Sequence, residues 1–148
     1  MKRNLCFALI VFFCLVLGVS MVGCATSGPA SSSLADLVGI WEGSYMADQG
    51  ETGMTLTIWE DNGNYKAIWH FFNLPGKTNA AEGSYYMRIF INYSTGKFNL
   101  VGHEWINRPG PAWGMMSLEG TVQGNVFTGN ALVHGRSDDT FTFRVVRQ

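Results

Sequence analysis

The sequence predicts an all-β domain over residues 35–148, built as an eight-stranded antiparallel up-and-down barrel. Apolar and polar residues alternate there in runs of about seven to eleven residues, the pattern of half-buried strands. The runs are separated by Gly, Asn and Asp, which favour turns. Few segments show the periodicity of about 3.6 residues that is typical of an amphipathic helix. Successive hairpins with one apolar face leave no open edge when they close into a barrel. A sandwich of two sheets is the alternative.

The elements follow from these runs in chain order. Residues 33–37 predict a single helical turn ahead of the first strand. Eight strands are predicted at 38–46, 53–60, 65–72, 83–93, 97–106, 114–122, 126–133 and 140–146. Every second residue of each strand, from Trp41 to Val145, falls on the predicted inner face.

Turn residues fix the register of three hairpins. The dipeptide Asn-Gly at 62–63 signals a type I′ turn, and Thr-Gly at 95–96 and Gly-Asn at 124–125 mark two more hairpins. The pairs that these turns predict are Ile58 with Ala67, Leu56 with Trp69, Tyr93 with Phe98, and Val122 with Phe127.

Four glycines fall on the predicted inner face: Gly43, Gly102, Gly120 and Gly129. Glycine inside a strand marks a bend or a close approach of two backbones, which a small barrel needs where it curves. Space for a ligand inside the barrel is the alternative interpretation. The predicted register places Gly120 opposite Gly129.

Gly39-Ile40-Trp41, at the entry of the first strand, resembles the G-x-W motif of lipocalin and avidin-like barrels. That resemblance implies an up-and-down barrel in which Trp41 closes one end. Residues 38–146 are also similar to small bacterial extracytoplasmic β-domains for which no activity is established. This second resemblance implies a fold and a compartment.

The N-terminal residues are typical of a secretory signal. Lys2 and Arg3 precede an uncharged apolar run from Leu5 to Val22. About 18 residues is the lower limit for crossing a bilayer, so an uncleaved membrane helix is one alternative and an ordinary cleaved signal another.

The end of this run, Met21-Val22-Gly23-Cys24, resembles the lipobox of bacterial lipoproteins, although Met21 stands where leucine is usual. The resemblance implies that Cys24 receives a diacylglyceryl group and becomes the new N-terminus, so that its acyl chains, such as palmitate, hold the protein to a membrane. Ala25 implies the outer membrane if the host has one, and otherwise the cell surface. The chain then divides into a signal peptide at 1–23, a Ser/Gly/Pro-rich tether at 24–34 and the barrel at 35–148.

Composition narrows the function classes. Cys6 and Cys14 lie in the predicted signal and Cys24 carries the predicted lipid, so the mature domain has no thiol for a disulfide or a metal site. Removing Lys2 and Arg3 leaves eight basic residues against eleven acidic ones, a net charge of −3. The basic residues are scattered, which argues against nucleic acid as a partner.

Residues 103–107 begin like the zinc motif H-E-x-x-H but end in Asn107. That motif needs two histidines on successive turns of a helix, whereas this segment alternates as a strand, so neither a metal nor another cofactor is predicted. Strict alternation turns Glu104 inward, near one end of the barrel, where it would form an ion pair with a residue such as Arg108, accept a backbone hydrogen bond or orient a ligand.

The predicted outer face carries more aromatic residues than a solvated sheet needs. The candidate binding residues there are Trp59, Tyr86, Arg88, His103 and Trp105. The register predicts three pairs between neighbouring strands: Tyr86 with Trp105, Arg88 with His103, and Phe90 with Val101. An exposed aromatic patch is typical of a surface that binds a protein or a sugar. Coverage by the loop at 73–82 or by the N-terminal segment is the alternative.

The loop at 107–113, stiffened by two prolines, displays Arg108 and Trp113 as further candidate binding residues, or else caps one end of the barrel. His134 has no obvious partner, and no catalytic set can be assembled from the sequence.

The sequence therefore predicts a membrane-anchored, extracytoplasmic, non-catalytic binding module for an envelope protein or glycan. A lipocalin-type carrier of small ligands, or an inhibitor of a secreted hydrolase acting through the 107–113 loop, is the alternative.

Overall fold

The structure, a computed structural model, describes residues 33–78, 81–134, 136 and 140–148. The predicted signal peptide, the lipidation site at Cys24 and nearly all of the tether lie outside these residues. A 3-10 turn spans Leu34–Leu37. The strands are β1 (Gly39–Ala47), β2 (Gly50–Asp61), β3 (Asn64–Phe72), β4 (Gly83–Asn92), β5 (Lys97–Asn107), β6 (Met116–Gln123), β7 (Val126–Val133) and β8 (Thr140–Arg147).

The eight strands form one closed antiparallel barrel in which each strand pairs with the next along the chain and β8 pairs with β1. This confirms the up-and-down barrel and excludes the sandwich. Among the residues that the structure describes, no helix is long and apolar enough to cross a membrane.

The barrel has two different ends. We call the end that holds the 3-10 turn and the β2–β3, β4–β5 and β6–β7 turns the base. The other end, where β1–β2, β3–β4, β5–β6 and β7–β8 are connected, is called the mouth.

The two-residue turns at 62–63 and 124–125 join their strands in the register that the sequence predicts. Asn62 and Gly63 both have positive φ, 52° and 79°, as a type I′ turn requires. The predicted pairs of Ile58 with Ala67, Leu56 with Trp69 and Val122 with Phe127 are confirmed.

The predicted pair of Tyr93 with Phe98 is wrong. The β4–β5 turn holds four residues, 93–96, and Phe98 pairs with Ile91. The side chain of Asn92 explains the longer turn, because its Oδ1 accepts hydrogen bonds from the backbone N–H groups of Ser94 and Thr95. Tyr93 therefore lies at the tip of the turn, 80% exposed.

Aromatic side chains fill the middle of the barrel. The largest fully buried ones are Trp41, Trp69, Tyr85, Phe98 and Phe127. The Phe127 ring meets the rings of Trp41 and Phe98 edge to face, with centroids 6.0 and 6.4 Å apart. The interior is a packed core, as an eight-stranded barrel permits.

Gly120 and Gly129 are paired, as predicted, and they hold two backbones close together. A Cβ on Gly129 would lie 2.0 Å from the carbonyl oxygen of Glu119, and one on Gly120 would lie 2.2 Å from that of Thr128. Because the obstructing atoms belong to the backbone, these glycines permit strand curvature, and the space beside them is not open to a ligand.

Trp41 closes the base, as the G-x-W resemblance implied. Its side chain is fully buried, and its Nε1–H donates to the carbonyl oxygen of Leu37 in the 3-10 turn at 2.8 Å. The guanidinium of Arg147, at the end of β8, lies 4.4 Å from the centre of the indole ring.

Candidate binding groove on the outer face

Three of the predicted outward positions are where alternation placed them. Trp59 on β2 and Tyr86 and Arg88 on β4 all project from the outer wall. Ile68 on β3 lies beside Tyr86 in the register, so apolar surface continues from one strand to the next. Tyr86 is 37% exposed and Phe90, further along β4, is 53% exposed.

Strand β5 departs from strict alternation near the mouth. The six residues of β5 from Gly102 to Asn107 lie opposite only four residues of β4. The two extra residues, which have no partner on β4, are His103 and Ile106. Each extra residue is a β-bulge, which turns the following side chain to the opposite face.

The bulge at His103 reverses the two residues that follow it. Glu104 is exposed on the outer face, so the prediction that it points inward is wrong. Trp105 pairs with Tyr85 and packs against the core, so the prediction that it lies on the outer patch is also wrong. His103 remains outward and exposed, as predicted.

The predicted pairs between β4 and β5 change for the same reason and because of the longer turn. Tyr86 pairs with Glu104, Arg88 with Val101 and Phe90 with Asn99. His103 nevertheless stays beside Tyr86, since their rings are stacked with centroids 6.3 Å apart and planes 29° apart.

These residues line an open groove of about 310 Å³ on the outer wall. It is referred to below as the outer groove, and its lining residues are Trp59, Lys66, Ala67, Tyr86, Met87, His103 and Glu104. The pairing of β3 with β4 begins at Ala67 and Met87, so the groove lies where the two strands start to separate towards the base.

The outer groove combines aromatic surface with groups of both charges. Lys66 forms an ion pair with Asp61, the residue that ends β2. Glu104 and His103 stand together on the opposite side, on β5. A ligand in the groove would therefore meet a carboxylate, an imidazole and an ammonium group around an indole and a phenol ring.

The described residues of the β3–β4 loop contact the part of the outer face nearer the mouth. Lys77 reaches Glu51 at 3.2 Å, and Glu82 lies 3.0 Å from Nε2 of His70. A hydrogen bond from Ser44 and then the charge and hydrogen bond of Lys77 lower the pKa of Glu51. The exposure of Tyr86 shows that the loop leaves this side chain uncovered.

Trp105 belongs to an aromatic cluster that closes the mouth. Its ring centroid lies 5.0 Å from that of Tyr85 and 6.4 Å from that of Phe71. Trp113, from the β5–β6 loop, stacks on Phe71 at 5.5 Å. The hydroxyl of Tyr85 accepts a hydrogen bond from the backbone N–H of Met116 at 3.0 Å.

The side chain of Arg108 stabilises the same loop from within. Its Nη2 donates to the carbonyl oxygens of Pro111 and Trp113 at 2.7 and 2.9 Å, and its guanidinium lies 5.8 Å from the centre of the Trp105 ring. These contacts hold the loop against the aromatic cluster at the mouth, which agrees with its interpretation as a cap. The ion pair suggested between Arg108 and Glu104 is replaced by these contacts.

Three polar side chains of the core, Trp69, Tyr45 and Tyr85, pack against one another. Among the residues that the structure describes, Nε1 of Trp69 is buried without a hydrogen-bond partner. The centroid of the Trp69 ring lies 5.4 Å from that of Tyr45 and 5.6 Å from that of Tyr85. Burial raises the pKa of Tyr45 to about 12 and that of Tyr85 well above its ordinary value.

One polar pair was missed from the sequence. Nε2 of His134 lies 2.6 Å from the hydroxyl of Ser117, so the expectation that this histidine lacks a partner is wrong. The backbone N–H of His134 also donates to the carbonyl oxygen of Met115. The pair is exposed and ties the end of β7 to β6.

Within residues 33–78, 81–134, 136 and 140–148, no group of three or more His, Cys, Asp or Glu side chains could hold a metal ion. The fold and the outer groove together define a closed antiparallel barrel with a potential binding surface on its wall. No protein-family model matches this chain, and the searches of curated proteins and of solved structures also found no match.

Proposed function

We propose that this protein is a lipid-anchored, extracytoplasmic and non-catalytic binding module whose contact surface is the outer groove. Acyl chains on Cys24 hold it to the outer membrane, or to the cell surface in a host with one membrane. The barrel acts as a rigid support, and binding buries the exposed aromatic side chains of the groove against an envelope partner.

The observation that supports this function best is the bulge at His103. Strict alternation would keep Glu104 inside the barrel and leave one polar residue fewer on the wall. The bulge instead places His103 and Glu104 side by side next to Tyr86. Bulges are over-represented at the rims of barrels and next to active sites, where they redirect side chains.

The chemistry of the outer groove favours a sugar as the partner. Trp59 and Tyr86 line the groove, and aromatic rings are suited to stacking on the C–H groups of a sugar, although His103 covers one face of the Tyr86 ring. Glu104, His103 and Lys66 add acceptors and donors for hydroxyl groups around those rings. A protein partner, which would use the same aromatic residues as anchors, is the other outcome that the test below separates.

Small-ligand carriage inside the barrel has one observation in its favour, the unpartnered Nε1–H of Trp69. A ligand with an acceptor atom would satisfy that group. Against it, the rings of Tyr45 and Tyr85 pack against Trp69 within a filled core. The hydrolase-inhibitor alternative gains no support, because Arg108 is engaged within its own loop.

Site-specific crosslinking on the native envelope tests the proposal. A photoreactive amino acid replaces Tyr86 in one protein and Asn130, an exposed residue on β7 across the barrel, in the control. We expect an adduct at position 86 and little at 130. Glycosidase digestion of the adduct identifies a sugar partner, and protease digestion identifies a protein partner.

A substitution in the outer groove provides a second test of the proposal. Glu104→Gln keeps the size of the exposed side chain and removes its charge, so it should reduce capture at position 86 without changing the melting temperature. Equal labelling at positions 86 and 130 would contradict the proposed surface.

A further inference from the structure

The geometry points to a fixed orientation on the membrane. We propose that the base of the barrel lies against the lipid surface, with Tyr93 at the level of the headgroups and the mouth facing away. This inference rests on the proposed acylation of Cys24.

The length of the tether favours this orientation. Nine residues, 25–33, separate Cys24 from the 3-10 turn, and a chain of that length reaches at most about 30 to 36 Å. The turn is attached to the base through the hydrogen bond of Trp41 to Leu37. The tether therefore joins the barrel at its base, so the base is the end nearest to the acylated cysteine.

The opposite orientation would require almost the whole tether. A strand of ten residues, tilted as in small barrels, spans about 25 Å between base and mouth. To bring the mouth to the lipid, the tether would have to run back along the wall at nearly full extension. Holding a chain near full extension costs conformational entropy, which disfavours the orientation with the mouth on the lipid.

The base also presents apolar side chains suited to a membrane interface. Tyr93 is 80% exposed at the tip of the β4–β5 turn, and Ile40, near the start of β1, is 47% exposed. Tyrosine is enriched at the depth of the lipid headgroups because it has an apolar ring and a polar hydroxyl group.

The turn that carries Tyr93 is ordered before any contact forms. Oδ1 of Asn92 accepts hydrogen bonds from the backbone and hydroxyl of Ser94, and the N–H of Gly96 donates to the Asn92 carbonyl oxygen at 2.8 Å. Placing the phenol ring in the headgroup layer therefore costs little additional backbone entropy.

The base is not a basic membrane-binding surface. Lys66 is paired with Asp61 and Lys97 with Glu119, and Glu60, beside Asp61, is exposed. We therefore expect that anionic lipid does not strengthen the contact, unlike its effect on a polybasic surface.

Spin labelling of the full-length lipidated chain in phosphatidylcholine vesicles tests the orientation. Once the signal is removed and Cys24 is acylated, an introduced cysteine is the only free thiol. One label is attached through Ser94→Cys, beside Tyr93 at the base, and the control label through Ala112→Cys, exposed in the loop at the mouth. Collision rates with oxygen and with a water-soluble nickel chelate measure the depth of each label.

We expect the label at 94 to collide more with oxygen and less with the nickel chelate than the label at 112. Adding Tyr93→Ser to the Ser94→Cys chain should move the label at 94 towards water. Equal exposure of both labels to nickel on vesicle-bound protein would overturn the orientation and leave the anchor intact. An unmodified Cys24, detected by mass spectrometry, would overturn both proposals.

Discussion

Replacing Trp105 by alanine should destabilise the barrel, whereas replacing its neighbour Glu104 should not. A tryptophan buries about 150–250 Å² on folding, which at about 25 cal/mol per Å² corresponds to about 4–6 kcal/mol for complete burial. The indole of Trp105 is only partly buried, in contact with the rings of Tyr85 and Phe71, so its contribution is smaller than that of a fully buried tryptophan. Trp105→Ala should therefore lower the free energy of unfolding by about 3 kcal/mol.

The matched variant isolates the effect of the bulge. Glu104 is exposed, so Glu104→Ala should change the free energy of unfolding by no more than about 0.5 kcal/mol. For a domain of this size the loss at Trp105 corresponds to a melting temperature lower by about 12 °C. Urea unfolding followed by circular dichroism measures the free energy of unfolding of each variant, and a thermal melt measures the melting temperature.

The reverse order would refute the register. If Glu104→Ala proved the more damaging change and Trp105→Ala were tolerated, β5 would alternate without a bulge. Trp105 would then lie on the outer wall, and the outer groove would lose its acidic side.

Three further outcomes follow from the core. Gly129→Ala should cost about 2–3 kcal/mol, since the new Cβ would lie 2.0 Å from the carbonyl oxygen of Glu119, whereas Gly114→Ala, whose nearest neighbour would be at 3.4 Å, should be almost neutral in the same urea titration. Burial raises the pKa of Tyr45 from 10.0 to about 12, so the unfolded chain loses the tyrosine proton at lower pH than the folded one. The free energy of unfolding should therefore stay constant below about pH 10 and fall towards pH 12 by up to about 1.4 kcal/mol per pH unit. Tyr45→Phe should make this fall shallower. Trp41→Phe removes the hydrogen bond to the 3-10 turn, and faster amide exchange in that turn with little change in the strands would show that Trp41 holds it.

The barrel could be predicted because its information is local. Alternation marked the strands, and the predicted bounds lie within three residues of the observed ones. The Asn-Gly turn at 62–63 fixed the register of β2 with β3 by its positive φ angles alone. Closure by β8 against β1 then followed from the need to leave no open edge.

The site could be predicted only in part, since alternation does not reveal a bulge. Trp59, Tyr86, Arg88 and His103 were placed correctly because the residues before them keep the period of two. Beyond Gly102 the period fails. A glycine inside a strand can signal a bulge, but the segment after it is compatible with either register.

The polar contacts of two further residues were not found from the sequence. His134 lies near Ser117 because the pairing of β6 with β7 continues one residue past Val133, so this contact follows from the register of that hairpin. Arg108 instead donates to the carbonyl oxygens of Pro111 and Trp113 in its own loop, and no strand pattern predicts the path of that irregular segment.

The last residues of the chain complete the wall that the first strand begins. Strand β8 supplies the row of hydrogen bonds to β1, and Arg147 covers the indole of Trp41. A product cut short by a nonsense codon before Thr140 would expose two unpaired sheet edges, β1 and β7, together with the uncovered tryptophan. Such a truncated chain would be prone to self-association through strand addition, so it should be degraded faster than the full-length protein.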